Sequence, residues 1–188
     1  MIERLREDHG RAEFEQFVVR CTGQLLRTGY LVVWDLAEAE DLVQETLVRV
    51  ARRWARVRKM DHPLAYARRV LVNLALESSE RRGRQRRELS ADSVDDPIDE
   101  ASGRAFGRID ARSELEGALA KLPPRQRAVL VLRYFVDLPE AEVASILGCS
   151  LGTVKSTASR GLARLEQSMT STAPEHAETL STPRSACR

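Results

Sequence analysis

Apolar residues recur at three- and four-residue steps along the first part of the chain, which is the spacing of one face of an α-helix. The first such stripe includes Phe14 and Phe17 and predicts a helix from about Ala12 to Arg27. Two further stripes predict helices that begin after Asp35, a good N-cap, and at Pro63, since proline is tolerated in a first turn. Each stripe is one-sided, so we expect the three helices to share one core.

The helical period fails between about Arg82 and Asp110, where Ser, Asp, Gly and Pro accumulate, and this composition predicts a flexible linker. Helical patterning resumes at Ser113, whose spacing to Glu116 is that of a capping box. Further helices are predicted from Pro124, from about Pro139 to Leu147, and from Leu151 to about Gln167. The sequence therefore predicts an all-α fold of two small helical domains joined by a flexible linker.

Length and charge narrow the possible functions. A chain of 188 residues, 43% of them hydrophobic, suits one medium domain or two small ones and excludes a large catalytic barrel. The formal net charge is only +2, yet residues 49–88 hold 13 basic side chains against four acidic ones. This imbalance favours a polyanion-binding surface, with a solvated, salt-bridged helical surface as an equally weighted alternative.

The cysteines, Cys21, Cys149 and Cys187, are far apart and lack the spacing of a zinc site or a disulfide framework. No cofactor is expected. The first ten residues are charged and do not resemble a signal peptide, and every apolar stretch is far shorter than a bilayer span. We therefore expect a cytoplasmic protein without membrane insertion.

The segment from Leu138 to Leu165 fits a helix-turn-helix. Gly148 is suited to a left-handed residue at the end of the first helix, and Ser150 to the N-cap of the second. The first half of the second helix would enter the major groove of DNA. An ordinary helical hairpin is the alternative, and DNA binding is favoured over it. The polar residues that this half-helix would present are Thr153, Lys155, Ser156, Ser159 and Arg160.

A small acidic patch lies on the second predicted helix, where Asp41 and Glu45 are one turn apart and Gln44 is beside them. Paired carboxylates occur in acid–base and metal chemistry. However, no histidine or third ligand is near in sequence, so we expect no enzymatic activity. A solvated helix face is the usual interpretation of such a patch.

Two segments resemble a known family. LPPRQR together with the helix-turn-helix and its GTVKS string is similar to region four of extracytoplasmic-function sigma factors, of the sigma-E-like group of the sigma-70 family. The resemblance implies that this segment binds the promoter −35 element and the flap of the polymerase β subunit. Pro139 departs from the pattern, because the family commonly has serine there as the helix N-cap.

The string DLVQET resembles region two of the same family, where the helix docks on the β′ clamp of core RNA polymerase. The resemblance implies that Asp41, Gln44 and Glu45 meet basic clamp residues and that Leu42 and Val43 add apolar contact. The next loop and helix resemble the part that captures a flipped base of the −10 element. The matching positions there are Arg58, Lys59, His62, Arg68, Arg69 and Asn73.

The resemblance implies a sigma factor that brings core RNA polymerase to promoter DNA, recognises the −10 and −35 elements and helps melting, with an anti-sigma factor as a candidate partner. A stand-alone regulator that binds an operator as a dimer and a helical adaptor that binds no DNA are the alternatives. Tyr66 could stack on a base, although a core position is favoured. The expected segments are region two at 1–88, the acidic linker at 89–110, region four at 111–167 and a disordered tail at 168–188.

Overall fold

The computed structural model describes residues 2–90 and 111–170, and all regular structure in those ranges is helical. The first half contains four α-helices and the second half contains four α-helices and a short π-helix. They are α1 (Ile2–Val33), α2 (Leu36–Arg52), α3 (Trp54–Val57), α4 (Pro63–Ser90), α5 (Ala111–Ala120), α6 (Pro124–Leu130), the π-helix (Val131–Phe135), α7 (Glu140–Leu147) and α8 (Leu151–Thr170).

Two of the three predicted helix starts in the first half, those of α2 and α4, are confirmed. The carboxylate of Asp35 accepts a hydrogen bond of 2.9 Å from the backbone N–H of Glu38, which caps α2. The residue before the cap, Trp34, has a φ of 63°, so the chain turns sharply out of α1. Pro63 is the first residue of α4, where its missing N–H is of no consequence.

Helices α1, α2 and α4 pack against one another, as expected from their one-sided stripes. Leu25, Val50 and Leu71 are completely buried in their common core. At one end of that core the Trp54 ring lies 5.2 Å from Phe14 and 5.1 Å from Phe17 between centroids, so all three aromatic rings form one cluster. The shared core fixes the relative positions of α2 and α4, which carry half of the predicted binding residues.

In the second half, α6 and α8 cross closely. Gly161 on α8 is buried, and a Cβ atom at that position would lie 3.2 Å from the Leu130 side chain of α6. The neighbouring residue Leu162 is 41% exposed and so does not belong to this contact. Val154 and Gly161 lie seven residues apart on nearly the same face of α8 and supply its inward face, whereas Leu162 is turned about 100° away from Gly161.

The two halves pack on each other. Helices α1 and α4 of the first half contact α6, the π-helix and α7 of the second, and we call this contact the seam. One apolar cluster runs through it, with Leu31 and Val72 on one side and Val131 and Val143 on the other. The fold prediction placed the two halves on a flexible tether, and 91–110 lie outside the described residues.

Several helix boundaries differ from the predicted ones. Helix α1 begins earlier and ends later than expected, and α4 continues to Ser90, into the predicted linker. Helix α5 already includes Ala111, so Ser113 is not its cap. Helix α8 extends to Thr170, and the rest of the predicted tail lies outside the described residues.

Among the residues of these two ranges, no helix combines the length and the apolar character that crossing a membrane requires.

Candidate nucleic-acid interface

The turn between α7 and α8 has the geometry predicted for a helix-turn-helix. Gly148 ends α7 in the left-handed region, with φ of 61° and ψ of 39°. The Ser150 hydroxyl accepts a hydrogen bond of 3.1 Å from the backbone N–H of Thr153 and so caps α8. Helix α7 starts after Pro139, whose side chain has no polar atom that could cap the helix. The backbone carbonyl of Pro139 nevertheless accepts hydrogen bonds from the backbone N–H groups of Glu142 and Val143. The missing serine therefore leaves the helix start intact.

Helix α8 presents a polar face to solvent. Val154 is completely buried beneath it, whereas the five predicted DNA-contacting side chains are exposed or half-buried. Their contacts are weak and local: Lys155 Nζ lies 3.7 Å from Glu140 Oε2, and Arg160 Nε donates to the Ser156 carbonyl at 3.1 Å. These side chains can exchange such contacts for phosphate or base contacts at small cost. The structure thus brings together Thr153, Lys155, Ser156, Ser159 and Arg160.

A polar cleft of about 480 Å³ opens between α2 and α4 in the first half. Tyr66 lies at its edge, half-buried, and its hydroxyl accepts a hydrogen bond of 3.2 Å from Arg53 Nη1. Arg53 and Tyr66 also line a smaller adjoining cavity of about 250 Å³. Tyr66 is therefore only partly the core residue that was favoured, because its ring packs against the core cluster while its hydroxyl reaches the cleft. The cleft combines three arginines with two carboxylates, and its lining residues are Glu45, Arg49, Arg52, Arg53, Tyr66, Val70, Asn73 and Glu77.

Five of the six residues assigned to −10 recognition are exposed: Arg58, Lys59, His62, Arg69 and Asn73. Asn73 lies in the cleft, whereas Arg58 forms a salt bridge of 2.9 Å with Glu13 of α1. This salt bridge connects the loop that precedes α4 to α1. A planar amide in a cleft bordered by guanidinium groups can bind the hydrogen-bonding edge of an unpaired base.

Arg68 is the exception. Its side chain is only 9% exposed, and it points into the seam, with no hydrogen-bond partner for Nε among the described residues. Burial lowers the pKa of its guanidinium, and the charge of Glu142 on α7 opposes that shift. Helical spacing turns Arg68 and Arg69 about 100° apart, so only Arg69 faces solvent. In this arrangement Arg68 cannot contact DNA.

The acidic patch on α2 is exposed at Asp41, Gln44 and Glu45, and Glu45 accepts a hydrogen bond of 2.7 Å from Arg49. The expectation that Leu42 and Val43 add apolar contact on this surface is wrong for this arrangement. Both side chains are buried, with exposures of 9% and 4%, because they belong to the inward stripe of α2. Among the described residues of α2, the large apolar side chains that are exposed are Leu36 and Val48, each 43% exposed.

The arginines of the cleft were not predicted as site residues. Arg49, Arg52 and Arg53 entered the sequence prediction only as part of the excess of basic residues in 49–88. Their three- and four-residue spacing on one helix was the available signal, since it places Arg49 and Arg53 on the same face. The described residues contain no group of three or more His, Cys, Asp or Glu side chains arranged to hold a metal ion.

Two family models match the chain. Residues 17–87 match Sigma-70 region 2, and residues 112–165 match Sigma-70, region 4. The chain is similar to an RNA polymerase sigma-E factor of Streptomyces avermitilis, with 37% identity over 169 residues, covering 87% of this chain and 89% of the relative. It is also 31% identical over 200 residues to the ECF RNA polymerase sigma factor SigG of Mycobacterium tuberculosis, covering 94% of this chain and 53% of that protein.

Among solved structures, the chain resembles the sigma factor RpoE of Bartonella quintana, which was crystallised in complex with the anti-sigma factor NepR. The TM-score is 0.62 and the identity 25%, and the alignment covers 86% of this chain and 99% of that one. The two family models together cover both halves of the described chain, and the structural alignment with the Bartonella protein covers 86% of the chain.

Proposed function

Because the chain belongs to the sigma-70 family of RNA polymerase sigma factors and to its extracytoplasmic-function group, we propose that it binds core RNA polymerase and reads two promoter elements with two separate surfaces. Sigma factors are transcription initiation factors rather than enzymes, which agrees with a site built for binding. The observation that carries the proposal is that each matched segment presents an exposed polar or basic face of its own.

The exposed face of α8 recognises the −35 element in the major groove. Support comes from the left-handed Gly148 turn and the Ser150 cap, which hold the amino-terminal half of α8 clear of α7. Lys155 and Arg160 donate to phosphates or to guanine edges, while Thr153, Ser156 and Ser159 supply shorter, less discriminating hydroxyl contacts.

The cleft between α2 and α4 accepts an unpaired base of the −10 element. Asn73 reads its hydrogen-bonding edge, and the Tyr66 ring, oriented by Arg53, offers a face on which a base can stack. Arg58, Lys59, His62 and Arg69 surround the approach to the cleft and attract the strand backbone. Trapping a flipped base favours the open form of the duplex, so melting proceeds by capture and needs no nucleotide hydrolysis.

The acidic face of α2, with Asp41, Gln44 and Glu45, docks on the basic β′ clamp, and Leu36 and Val48 supply the apolar contact there. The second half docks on the β flap. Each module alone offers a small interface, so binding to polymerase raises the effective concentration of both at the promoter. In this scheme residues 1–88 and 111–167 act as separate units, joined by 89–110. An anti-sigma factor is a further proposed partner, as in the related Bartonella complex.

Run-off transcription with core RNA polymerase on a genomic promoter library tests the proposal. The double variant Lys155→Ala/Arg160→Ala is expected to lose initiation at the start sites that the wild-type chain uses, by tenfold or more, since each lost contact is worth about 1–3 kcal/mol. Native gels with core polymerase should show unchanged association for this variant.

Glu166→Ala serves as the matched control, because Glu166 is exposed on the same helix but lies beyond the recognition half. It is expected to transcribe normally. The charge-reversed Asp41→Arg/Glu45→Arg chain is expected to fail in the native gel as well as in transcription. Normal promoter use by Lys155→Ala/Arg160→Ala would refute the role of α8, and retained association of the charge-reversed chain would refute the docking role of α2.

A further inference from the structure

A basic groove of about 570 Å³ lies between α1 and the end of the π-helix, apart from both surfaces proposed to read DNA. Its α1 wall carries Arg20, Gln24 and Arg27, whose four- and three-residue steps place them on one helix face. Arg68 of α4 and Phe135 of the π-helix also line it. The described lining residues include no Asp or Glu, whereas two glutamates lie among the arginines of the cleft between α2 and α4. The groove is therefore the more strongly cationic of the two.

Arg68 is buried in this groove without a full set of partners. It is 9% exposed, and its Nε has no hydrogen-bond partner among the described residues. Glu142 on α7 attracts its charge without accepting a hydrogen bond from Nε. Arg127, which is 8% exposed, differs because its Nη1 donates a hydrogen bond of 3.0 Å to the Val32 carbonyl and its Nη2 donates to two further carbonyls. A buried guanidinium with an unused donor is unfavourable, and an anion in the groove would satisfy it.

Gly23 lies between Arg20 and Arg27 on the α1 wall. Glycine inside a helix is less stable than alanine, because it loses more backbone freedom on folding. A Cβ atom at Gly23 would meet nothing within 4 Å, so the packing of this chain does not require glycine there. The missing side chain instead keeps the middle of the groove open and leaves room for a ligand beside the α1 backbone.

The spacing and chemistry of the lining indicate the class of ligand. Arg20 and Arg27 are seven residues apart, about 10 Å along the helix axis, so a ligand with two or more anionic groups can engage both. Guanidinium groups bind phosphate oxygens through paired hydrogen bonds. Phe135 is 50% exposed and offers a ring on which a base can stack. The volume of the groove lies within the range of about 300–1,000 Å³ that is usual for small-molecule sites.

We propose that the groove binds a nucleotide that carries at least two phosphates. The phosphates contact Arg20, Arg27 and Arg68, and the base stacks on Phe135. The ligand binds and dissociates unchanged, since the proposal includes no chemical step. The inference does not depend on promoter reading, because none of its four contact residues belongs to the surfaces proposed above to contact DNA or polymerase.

Isothermal titration calorimetry of the full-length chain with ADP tests the proposal, without Mg²⁺ so that the phosphate charge stays uncovered. We expect saturable binding of ADP. Pyrophosphate should bind about fivefold more weakly or worse because it lacks the base, and adenosine should not saturate because it lacks the phosphates. No saturable binding of ADP up to ~1 mM would overturn the proposal, and so would equal affinity for ADP and adenosine. Tighter binding of a tetra-aspartate peptide than of ADP would also overturn it, since the groove would then be a peptide site.

The double variant Arg20→Gln/Arg27→Gln should lower the affinity for ADP by about tenfold or more, because it removes two charge-assisted contacts. Arg125→Gln/Arg164→Gln is the matched control. It removes the same charge from exposed positions on α6 and α8, outside the groove, and should keep most of the affinity. Equal losses in the two double variants would mean that ADP responds only to the general charge of the chain, and the proposed site would be wrong.

Gly23→Leu fills the groove without changing any charge. It should lower the affinity for ADP by about tenfold, while its thermal midpoint should equal or exceed that of the wild-type chain, because leucine is a better helix former. Gly10→Leu makes the same change at another position of α1 where a Cβ atom meets nothing within 4 Å, and it should bind ADP normally. Wild-type affinity in a helical Gly23→Leu chain would contradict the proposal.

Phe135→Ala tests the stacking contact and does not depend on how Gly23→Leu folds. It should weaken the binding of ADP and leave that of pyrophosphate unchanged, because only ADP has a base to stack. Equal weakening of both ligands, or of neither, would overturn the assignment of a nucleotide. These titrations contain no polymerase and no promoter, so their failure leaves the promoter-reading proposal standing. Failure of the transcription assay likewise leaves the ligand site standing.

Discussion

The two polar surfaces of this chain are held in different ways. On α8 the polar side chains of the recognition half contact only their own helix or α7, as with the Arg160 bond to the Ser156 carbonyl. In the first half the corresponding side chains are engaged with distant parts of the chain. Arg58 reaches Glu13 across 45 positions of sequence, and Arg68 is buried against the second half.

Because of this difference, we expect the two surfaces to need different amounts of rearrangement before they bind DNA. The α8 surface is preformed by its backbone, because Gly148 and Ser150 fix the helix start, and its side chains need only small movements. The first-half surface must break internal contacts before it can contact nucleic acid. The cost of breaking them lowers its net free energy of binding. We therefore expect variants of the turn to have large effects on α8 function, and variants of single side-chain contacts in the first half to have smaller ones.

The largest effect should follow from Gly148→Val. A left-handed backbone costs an L-residue roughly 1–2 kcal/mol, and more when the side chain is β-branched. A Cβ atom at Gly148 would meet nothing within 4 Å, so the whole penalty is conformational. We expect a lower midpoint in urea unfolding and loss of −35-dependent transcription. Gly148→Asn is the control, since asparagine tolerates this region, and an equal loss in both variants would contradict a backbone cause.

An intermediate effect is expected from Tyr66→Phe, which keeps the ring but removes the acceptor of the Arg53 hydrogen bond. A net contribution of about 0.5–1.5 kcal/mol corresponds to roughly a two- to tenfold loss in promoter opening, measured with a fluorescent base analogue in the −10 element. Tyr30→Phe makes the same change on a tyrosine that stacks on Trp34 outside the cleft and should open promoters normally. Equal behaviour of the two variants would argue against a role for the Arg53–Tyr66 pair.

Much of the fold followed from local sequence signals. Asp35, Pro63 and Gly148 marked helix ends correctly, because caps, proline and left-handed glycine act through a few neighbouring residues. The seam was not predicted. It depends on contacts between residues far apart in sequence, such as Arg127 with Val32, and the period of a single helix shows only that a face is apolar, without showing which element covers it.

For the candidate sites as well, features set within one helix were predicted, whereas features set by contacts between distant parts of the chain were not. The polar face of α8 was predicted correctly as an exposed group because all its members lie on one helix, where period alone fixes their direction. Arg68 was predicted by resemblance to be available, and only the tertiary packing shows it covered. The cleft was not predicted because it needs α2 and α4 together, with Arg49 contributed by α2 and Asn73 by α4.

The smallest effect is expected from releasing Arg58 with Glu13→Gln. The Arg58–Glu13 salt bridge is 2.9 Å long, but both side chains are about one-third exposed, so its loss should change the free energy of unfolding by less than about 1 kcal/mol. The freed guanidinium should bind the melted strand better, raising holoenzyme affinity for a forked promoter template two- to threefold at low salt. The gain should shrink as salt rises, because it comes from phosphate attraction.

The matched control for this change is Glu15→Gln on the same helix. Glu15 pairs instead with Arg11 at 3.0 Å, four residues away on α1 itself. Both variants remove one negative charge, so both raise the general attraction of the chain for DNA by a similar amount. Only the excess gain of Glu13→Gln reports the release of Arg58. Equal affinities for the two variants would mean that the Arg58–Glu13 salt bridge does not restrain the first-half surface. The difference from α8 would then depend on the burial of Arg68 alone.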